Sequence, residues 1–212
     1  MKLQELWECR VMHYSEMISD VKVYGMEEGI RAAKYPMAVD VSKCTSDITK
    51  RTNALANAPS GSGHDCWLKA VVVQFDLKMT PKCSVEMERY HFIDFISSQS
   101  TMHKITQFDL DKAYIEYVDK RVIEIMKEKV AEYNALTDSV RISEQGKDMY
   151  LEILYTNPCG FQLTSRMTTN YLQLKTIYAQ RRTHRLPEWQ AICDWIETLP
   201  HSEFITGERR EE

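Results

Sequence analysis

Residues 164–200, TSRMTTNYLQLKTIYAQRRTHRLPEWQAICDWIETLP, carry the reading on which the fold turns. Met167, Tyr171, Leu174, Ile177 and Tyr178 recur at three- and four-residue spacing, the period that gathers side chains on one helix face. This predicts a first helix that already includes Met167. Asn170 and Arg181 stand eleven residues apart, about three turns, so both point the same way if the helix runs that far. Arg181, Arg182, His184 and Arg185 then gather cationic donors near the helix C-terminus, where the dipole favours them and where an anion finds a planar, bidentate partner. Leu186-Pro187-Glu188 breaks the run, because Pro suits the first turn of a new helix. Trp189, Ile192, Trp195, Ile196 and Leu199 form the next apolar face. A helical hairpin with a solvated basic corner accounts for the same pattern without any ligand.

The rest of the chain sets the class. Its 212 residues suffice for one domain with a real core, and 43% hydrophobic with 27% charged residues is the balance of a globular protein. A net charge of −4 argues against bulk nucleic-acid binding. Six cysteines are scattered without a CxxC pair, and no apolar run approaches the ~20 residues of a membrane span, so reduced thiols and a cytoplasmic location are expected. Seven glycines leave no phosphate loop of Walker or Rossmann spacing, and the histidines show no metal-ligand pattern. No metal is expected.

Residues 21–24 read as a strand and 26–37 as a short helix stopped by Pro36. Residues 42–58 read as helix-capable with Ser46 as cap, and PSGSG at 59–63 as a loop ending at His64. A long strand, AVVVQFDL, is expected at 70–77 with a buried inner face. Ser84 is expected to cap a helix over SVEMERYHFIDFISSQS, and 109–136 reads as one amphipathic helix. The class is α+β: a helix-rich single domain over 1–206 with a small, mainly antiparallel sheet, followed by a polar tail at 207–212. Ser97-Ser98-Gln99-Ser100-Thr101 reads either as a hydroxyl- and amide-lined anion pocket or as a helix terminus rich in ordinary caps.

In this order, the motifs resemble those of the flavin-dependent thymidylate synthases (ThyX-like), a family that methylates deoxyuridylate with FAD and methylenetetrahydrofolate. IRAAKYP at 30–36 is similar to the family's Arg-Ala-Ala-Arg-Val-Ser segment. Gly63-His64 resembles the His-bearing turn before its core strand. Arg89-Tyr90-His91 resembles the start of its RHR-x-x-S motif, with Gln99-Ser100 on the nucleotide-contacting serine. Asn170 followed by Arg181 is similar to its Asn and base-contacting Arg.

The resemblance implies that Arg89, Gln99, Ser100 and Arg181 hold a pyrimidine deoxynucleotide (dUMP or a relative), with Arg181 also catalytic, polarising the base carbonyl. It implies His64, His91 and Asn170 for the cofactor FAD, a folate one-carbon donor, and a homotetramer with sites shared between subunits in a bacterial or phage-infected cell. Three positions depart from the pattern: Lys69 for a flavin-side Glu, Leu154 for a phosphate-binding Arg, and Leu172 for a second Arg. Two functions follow. One is a FAD-dependent one-carbon transfer to the nucleotide. The other is a non-catalytic or repurposed nucleotide-binding protein of a phage or mobile element on the same fold.

Overall fold

The computed structural model describes residues 12–207; the residues before 12 and the polar tail from 208 onward lie outside them. In chain order the strands are β1 (Ile18–Tyr24), β2 (Val72–Met79), β3 (Ile93–Ser98) and β4 (Leu163–Asn170). The helices are α1 (Met26–Ala32), α2 (Lys50–Ala56), α3 (Pro81–Met87), α4 (Thr101–Lys104), α5 (Lys120–Asn134), α6 (Asp138–Arg141), α7 (Glu144–Thr156), α8 (Tyr171–Arg181), α9 (Pro187–Ile196) and α10 (Glu203–Thr206). The strands form one small sheet in the order β1-β2-β4-β3. The expected α+β, helix-rich class with a small antiparallel sheet is what the chain adopts.

The described residues fall into two compact units. The first comprises 12–77, 88–96 and 166–207. Its centre is β2, where Val73, Phe75 and Leu77 are all at most 1% exposed while the residues between them are half-exposed. Phe75 meets Trp195 of α9 at 4.5 Å between ring centroids. Tyr171, Leu174 and Ile177 of α8 and Trp189 of α9 are fully buried. Each large apolar side chain so buried stabilises by roughly 1.5–3 kcal/mol. At the sheet edge β1 pairs antiparallel with β2, and the register breaks between Ser19 and Lys22, where Asp20 takes φ 46°. Gly25 sits at the N-cap of α1 with φ 73°; a Cβ there would come within 2.2 Å of the Ala70 carbonyl oxygen, so only glycine fits.

The second unit comprises Lys78–Met87 and Ser97–Ser165. Ile105, Leu110, Ala113, Met126, Val130, Ile153 and Phe161 make its core. Phe108 and Tyr114 pack edge-on against Phe161, each at 5.2 Å.

Several local expectations need correction. Met167 is not helical: residues 163–170 form β4, with Ser165, Met167 and Thr169 buried in strict alternation. Met167 satisfies both a period of two and a spacing of four to Tyr171, and the threonine-rich segment favours the strand. Ser84 does not start a helix; it lies inside α3, its hydroxyl donating to the Pro81 carbonyl at 3.0 Å, and β3 follows where helix was expected. The helix expected over 109–136 begins only at Lys120, where the Asp119 carboxylate caps it by accepting from Arg121 N–H at 2.9 Å. Upstream, Tyr114 makes a β-bridge with Phe161. The cap of α2 is Thr49, in a reciprocal capping box with Thr52, and not Ser46. Residues 148–154, whose sequence allows a helical turn or a strand, are helical and belong to α7.

No described helix is long and apolar enough to cross a membrane. Among the described residues Cys44, Cys66, Cys83, Cys159 and Cys193 form no disulfide; Cys9 lies outside the described residues.

Candidate functional site

Helix α8 is the spine of the candidate site in the first unit. Asn170 ends β4 in extended backbone, and its Oδ1 accepts from Gln173 N–H at 2.9 Å, so the residue caps α8. Arg181 is the last residue of the same helix. The spacing therefore spans a single helix, as expected, and separates the two residues by about 16 Å along its axis. A group as small as a pyrimidine ring cannot touch both.

Arg181 is enclosed. It is 7% exposed, with its guanidinium carbon 4.8 Å from the Trp189 ring and 5.6 Å from the Tyr90 ring. Its Nε–H donates to the Tyr90 hydroxyl at 2.7 Å, and that hydroxyl donates in turn to Gln180 Oε1 at 3.0 Å. Tyr90 and Trp189 meet edge-on at 5.9 Å, and His184 approaches Trp189 at 6.4 Å. The buried Trp189 indole N–H has no hydrogen-bond partner among the described residues. Two aromatic faces and a phenol thus hold one guanidinium in a fixed plane, where it loses little freedom on meeting an anionic or carbonyl partner.

The loop that carries His64 is tied to the same helix. Lys175 Nζ donates to Asp65 Oδ2 at 2.8 Å and to the carbonyls of Ala56 and Ala58 at 2.7 and 2.8 Å. Asp65 is 2% exposed, so this is a buried, fully bonded ion pair. His64 beside it is exposed at a turn, and Lys69 further on is exposed in the short 3-10 helix Cys66–Ala70. Arg89 and His91 flank the buried Tyr90 and are both exposed. Among the described residues no hydrogen bond or ring contact joins His64, Arg89 or His91 to another of the candidate residues.

Gln99 and Ser100 belong to the second unit, where they share a cavity of about 240 Å³ with Lys104, Gln107 and Phe108. Gln99 holds the cavity wall in place: its side-chain Oε1 accepts from Thr164 N–H at 2.9 Å, while its backbone N–H donates to the Thr164 carbonyl at 3.0 Å. Ser100 stands at the N-cap position of α4 but makes no side-chain cap bond. Lys104, paired with Gln107 at 3.2 Å, adds the cation. A carboxamide, a hydroxyl and an ammonium around one cavity are a donor set for an anion.

Sequence reasoning passed over Tyr90, Trp189, the Lys175–Asp65 pair and Lys104. Tyr90 stood between two residues with more obvious chemistry, and nothing local marks a phenol as a guanidinium's partner. Nucleophilic thiol chemistry finds no support at Cys193, because burial pushes its thiol up to about 12.

No protein-family model matches the chain, and no curated protein matches it by sequence. Solved structures do. The chain is similar to two structures of the flavin-dependent thymidylate synthase ThyX from Helicobacter pylori, both with FAD and dUMP, at TM-scores of 0.63 and 0.65. Each shares 13% identity over 90% of this chain and 98% of the other. At that identity the likeness is one of architecture: this chain has the fold of the ThyX thymidylate synthases.

Proposed function

We propose that the chain binds a pyrimidine deoxynucleotide, dUMP or a relative, and uses it in FAD-dependent one-carbon transfer as a ThyX-like methyltransferase. The observation that carries this reading is the likeness over nearly the whole length to ThyX structures that hold FAD and dUMP. The local chemistry supports it. In the second unit Gln99, Ser100 and Lys104 supply neutral and cationic donors for a phosphate; in the first, Arg89 is an exposed guanidinium. Arg181 supplies a planar donor held at fixed orientation, the requirement for stabilising charge that develops on a base carbonyl.

FAD, when bound, would supply the redox chemistry. Of the residues present, Asn170 offers a carboxamide N–H₂ beyond its capping bond, and His64 and His91 offer exposed imidazoles. These groups fit the edge of a flavin and do not enclose it, so the rest of the enclosure falls to other subunits of a homotetramer. No residue of this chain is assigned to a folate donor.

One observation favours the second reading, nucleotide binding without catalysis. Leu154, which replaces an expected cation, packs against the core of the second unit and has no part in a phosphate site. Titration with dUMP and then FAD separates the two. Nucleotide binding followed by stoichiometric quenching of flavin fluorescence supports the enzyme. Nucleotide binding with no flavin uptake supports the binding protein.

A further inference from the structure

The two edges of the sheet are built differently. β1 and β3 are its outer strands, so each leaves a row of backbone N–H and C=O groups without a neighbouring strand among the described residues. Such a row is a template for another strand, and native proteins blunt it with charges, bulges or proline. β1 is blunted. Its register breaks between Ser19 and Lys22, where Asp20 takes φ 46°, and Lys22 pairs with Asp20 at 3.4 Å across the break.

β3, IDFISS, is not blunted in this way: it has neither proline nor lysine, and Asp94 is its one charge. Ile93 is buried, but every residue from Asp94 to Ser98 is exposed. Phe95 and Ile96, which successive positions of a strand send to opposite faces, are 43% and 54% exposed. Phe92, just before the strand, is exposed as well. Apolar surface therefore stands on both faces of an open edge, a composition that invites aggregation unless a specific strand covers it.

We infer that the β3 edge is the pairing surface for a second copy of this chain, β3 against β3 and antiparallel about a two-fold axis. The strand is self-complementary in that arrangement. An axis normal to the sheet sets residues of the same face opposite one another. Centred on Ile96, it puts Ile96 against Ile96 of the second copy, Phe95 against Ser97, and Asp94 against Ser98. Each carboxylate then meets a hydroxyl that can donate to it, and the two carboxylates are offset along the pair by the distance from Asp94 to Ser98. The assembly closes at two chains through this edge, because each copy occupies the open row of the other. An unrelated extended peptide would satisfy the same backbone groups, but it would need its own match to Asp94 and to both apolar faces. The second copy supplies that match from the same six residues. Neither nucleotide nor flavin enters the inference, so a chain that binds neither still pairs.

Sedimentation velocity of the intact chain over a micromolar range tests the pairing. The wild type should associate. Ile96→Lys, which would face two ammonium groups across the axis, should weaken association about tenfold or more. Leu151→Lys, at an exposed apolar position of α7, should leave it unchanged. Ser98→Asp sets a second carboxylate opposite Asp94 and should weaken it, whereas Ser98→Lys supplies an opposite charge and should tighten it. All these positions are exposed, so melting curves should show each variant folded, and the Ser98 pair decides the matter if Ile96→Lys unfolds. A wild type that sediments as a monomer throughout overturns the proposal, as does an assembly whose strength Ile96→Lys leaves unchanged. An equal loss in Ile96→Lys and Leu151→Lys would mean non-specific apolar contact and overturns it too. So does the reverse order of the two Ser98 variants, or a monomer that binds an unrelated β-strand peptide, which would make another protein the occupant.

Discussion

Arg181 donates its Nε–H to the Tyr90 hydroxyl across 2.7 Å, joining the end of α8 to the turn before β3 through a contact ninety-one residues apart in sequence. A guanidinium 7% exposed is a structural element as well as a candidate ligand-binding group. At an open surface Arg181→Lys would leave thermal stability nearly unchanged, within about 0.5 kcal/mol. Enclosure between Tyr90 and Trp189 reverses that expectation. Lysine keeps the charge but loses the planar stacking and the directed Nε bond, so the substitution should cost about 1.5–3 kcal/mol. Urea denaturation measures it, and an unchanged midpoint would contradict the enclosed geometry.

Tyr90→Phe tests the same contact from the other side. It keeps the ring and removes the hydroxyl that accepts from Arg181 and donates to Gln180. A buried charged donor left without that acceptor should cost about 1–3 kcal/mol. Nucleotide affinity should fall too, because the plane of the guanidinium is no longer fixed. Loss of stability with no change in dUMP affinity would make Arg181 purely structural.

How far the sequence shows these features depends on what each leaves in the local pattern. The β-branched run of β2 and Pro187 at the head of α9 are legible because backbone preference and burial agree there. Residues 164–170 are not, since Met167 fits a helical stripe and an alternating strand equally well. The choice is made by pairing with β2 and β3, which is non-local. The start of α5 was obscured similarly: Tyr114 and Val118 extend its apolar period, but a β-bridge to Phe161 and the Asp119 cap hold that stretch out of the helix. In the candidate site, the Asn170–Arg181 spacing is legible because one helix spans it. Tyr90 is not, because its partner is far away in sequence.

Lys175 and Asp65 give a third prediction. Replacing Lys175 by Met strands a carboxylate that is 2% exposed and removes the donor to two carbonyls. The expected loss is about 3–5 kcal/mol, larger than for either arginine contact variant. Amides of the His64 loop should exchange faster with solvent, which hydrogen exchange reads directly. Protection unchanged across residues 59–66 would show that the pair does not anchor the loop.

Gly146 yields a prediction of unusual sign. Gly-to-Ala inside an exposed helix normally stabilises by up to about 1 kcal/mol. Here a Cβ would lie 2.4 Å from the Val140 carbonyl oxygen and 2.5 Å from that of Arg141, both backbone atoms. Gly146→Ala should therefore destabilise, with the melting temperature falling. A rise would mean that α6 and α7 are further apart than described.

Alkaline pH should weaken the fold. Burial raises the Cys193 thiol from 9.0 to about 12, and the Tyr114 and Tyr178 phenols from 10.0 to about 12. Each keeps its proton in the folded chain where the unfolded chain has lost it. Their contribution is complete below the unfolded values and is lost as pH rises from about 9 toward 12. Urea midpoints should fall across this range, and Cys193→Ala should flatten the first part of the decline. A midpoint independent of pH there would contradict the burial of these groups.

The central claim is that this ThyX-fold chain holds a pyrimidine deoxynucleotide. Calorimetric titration of the purified protein with dUMP tests it most directly, with dAMP as comparison and Ser100→Ala, in the second unit, as the site variant. The account predicts saturable dUMP binding, weaker binding of dAMP, and a loss of affinity in Ser100→Ala at an unchanged melting temperature. No binding of dUMP, or binding that Ser100→Ala leaves intact and that does not distinguish the two bases, would contradict it.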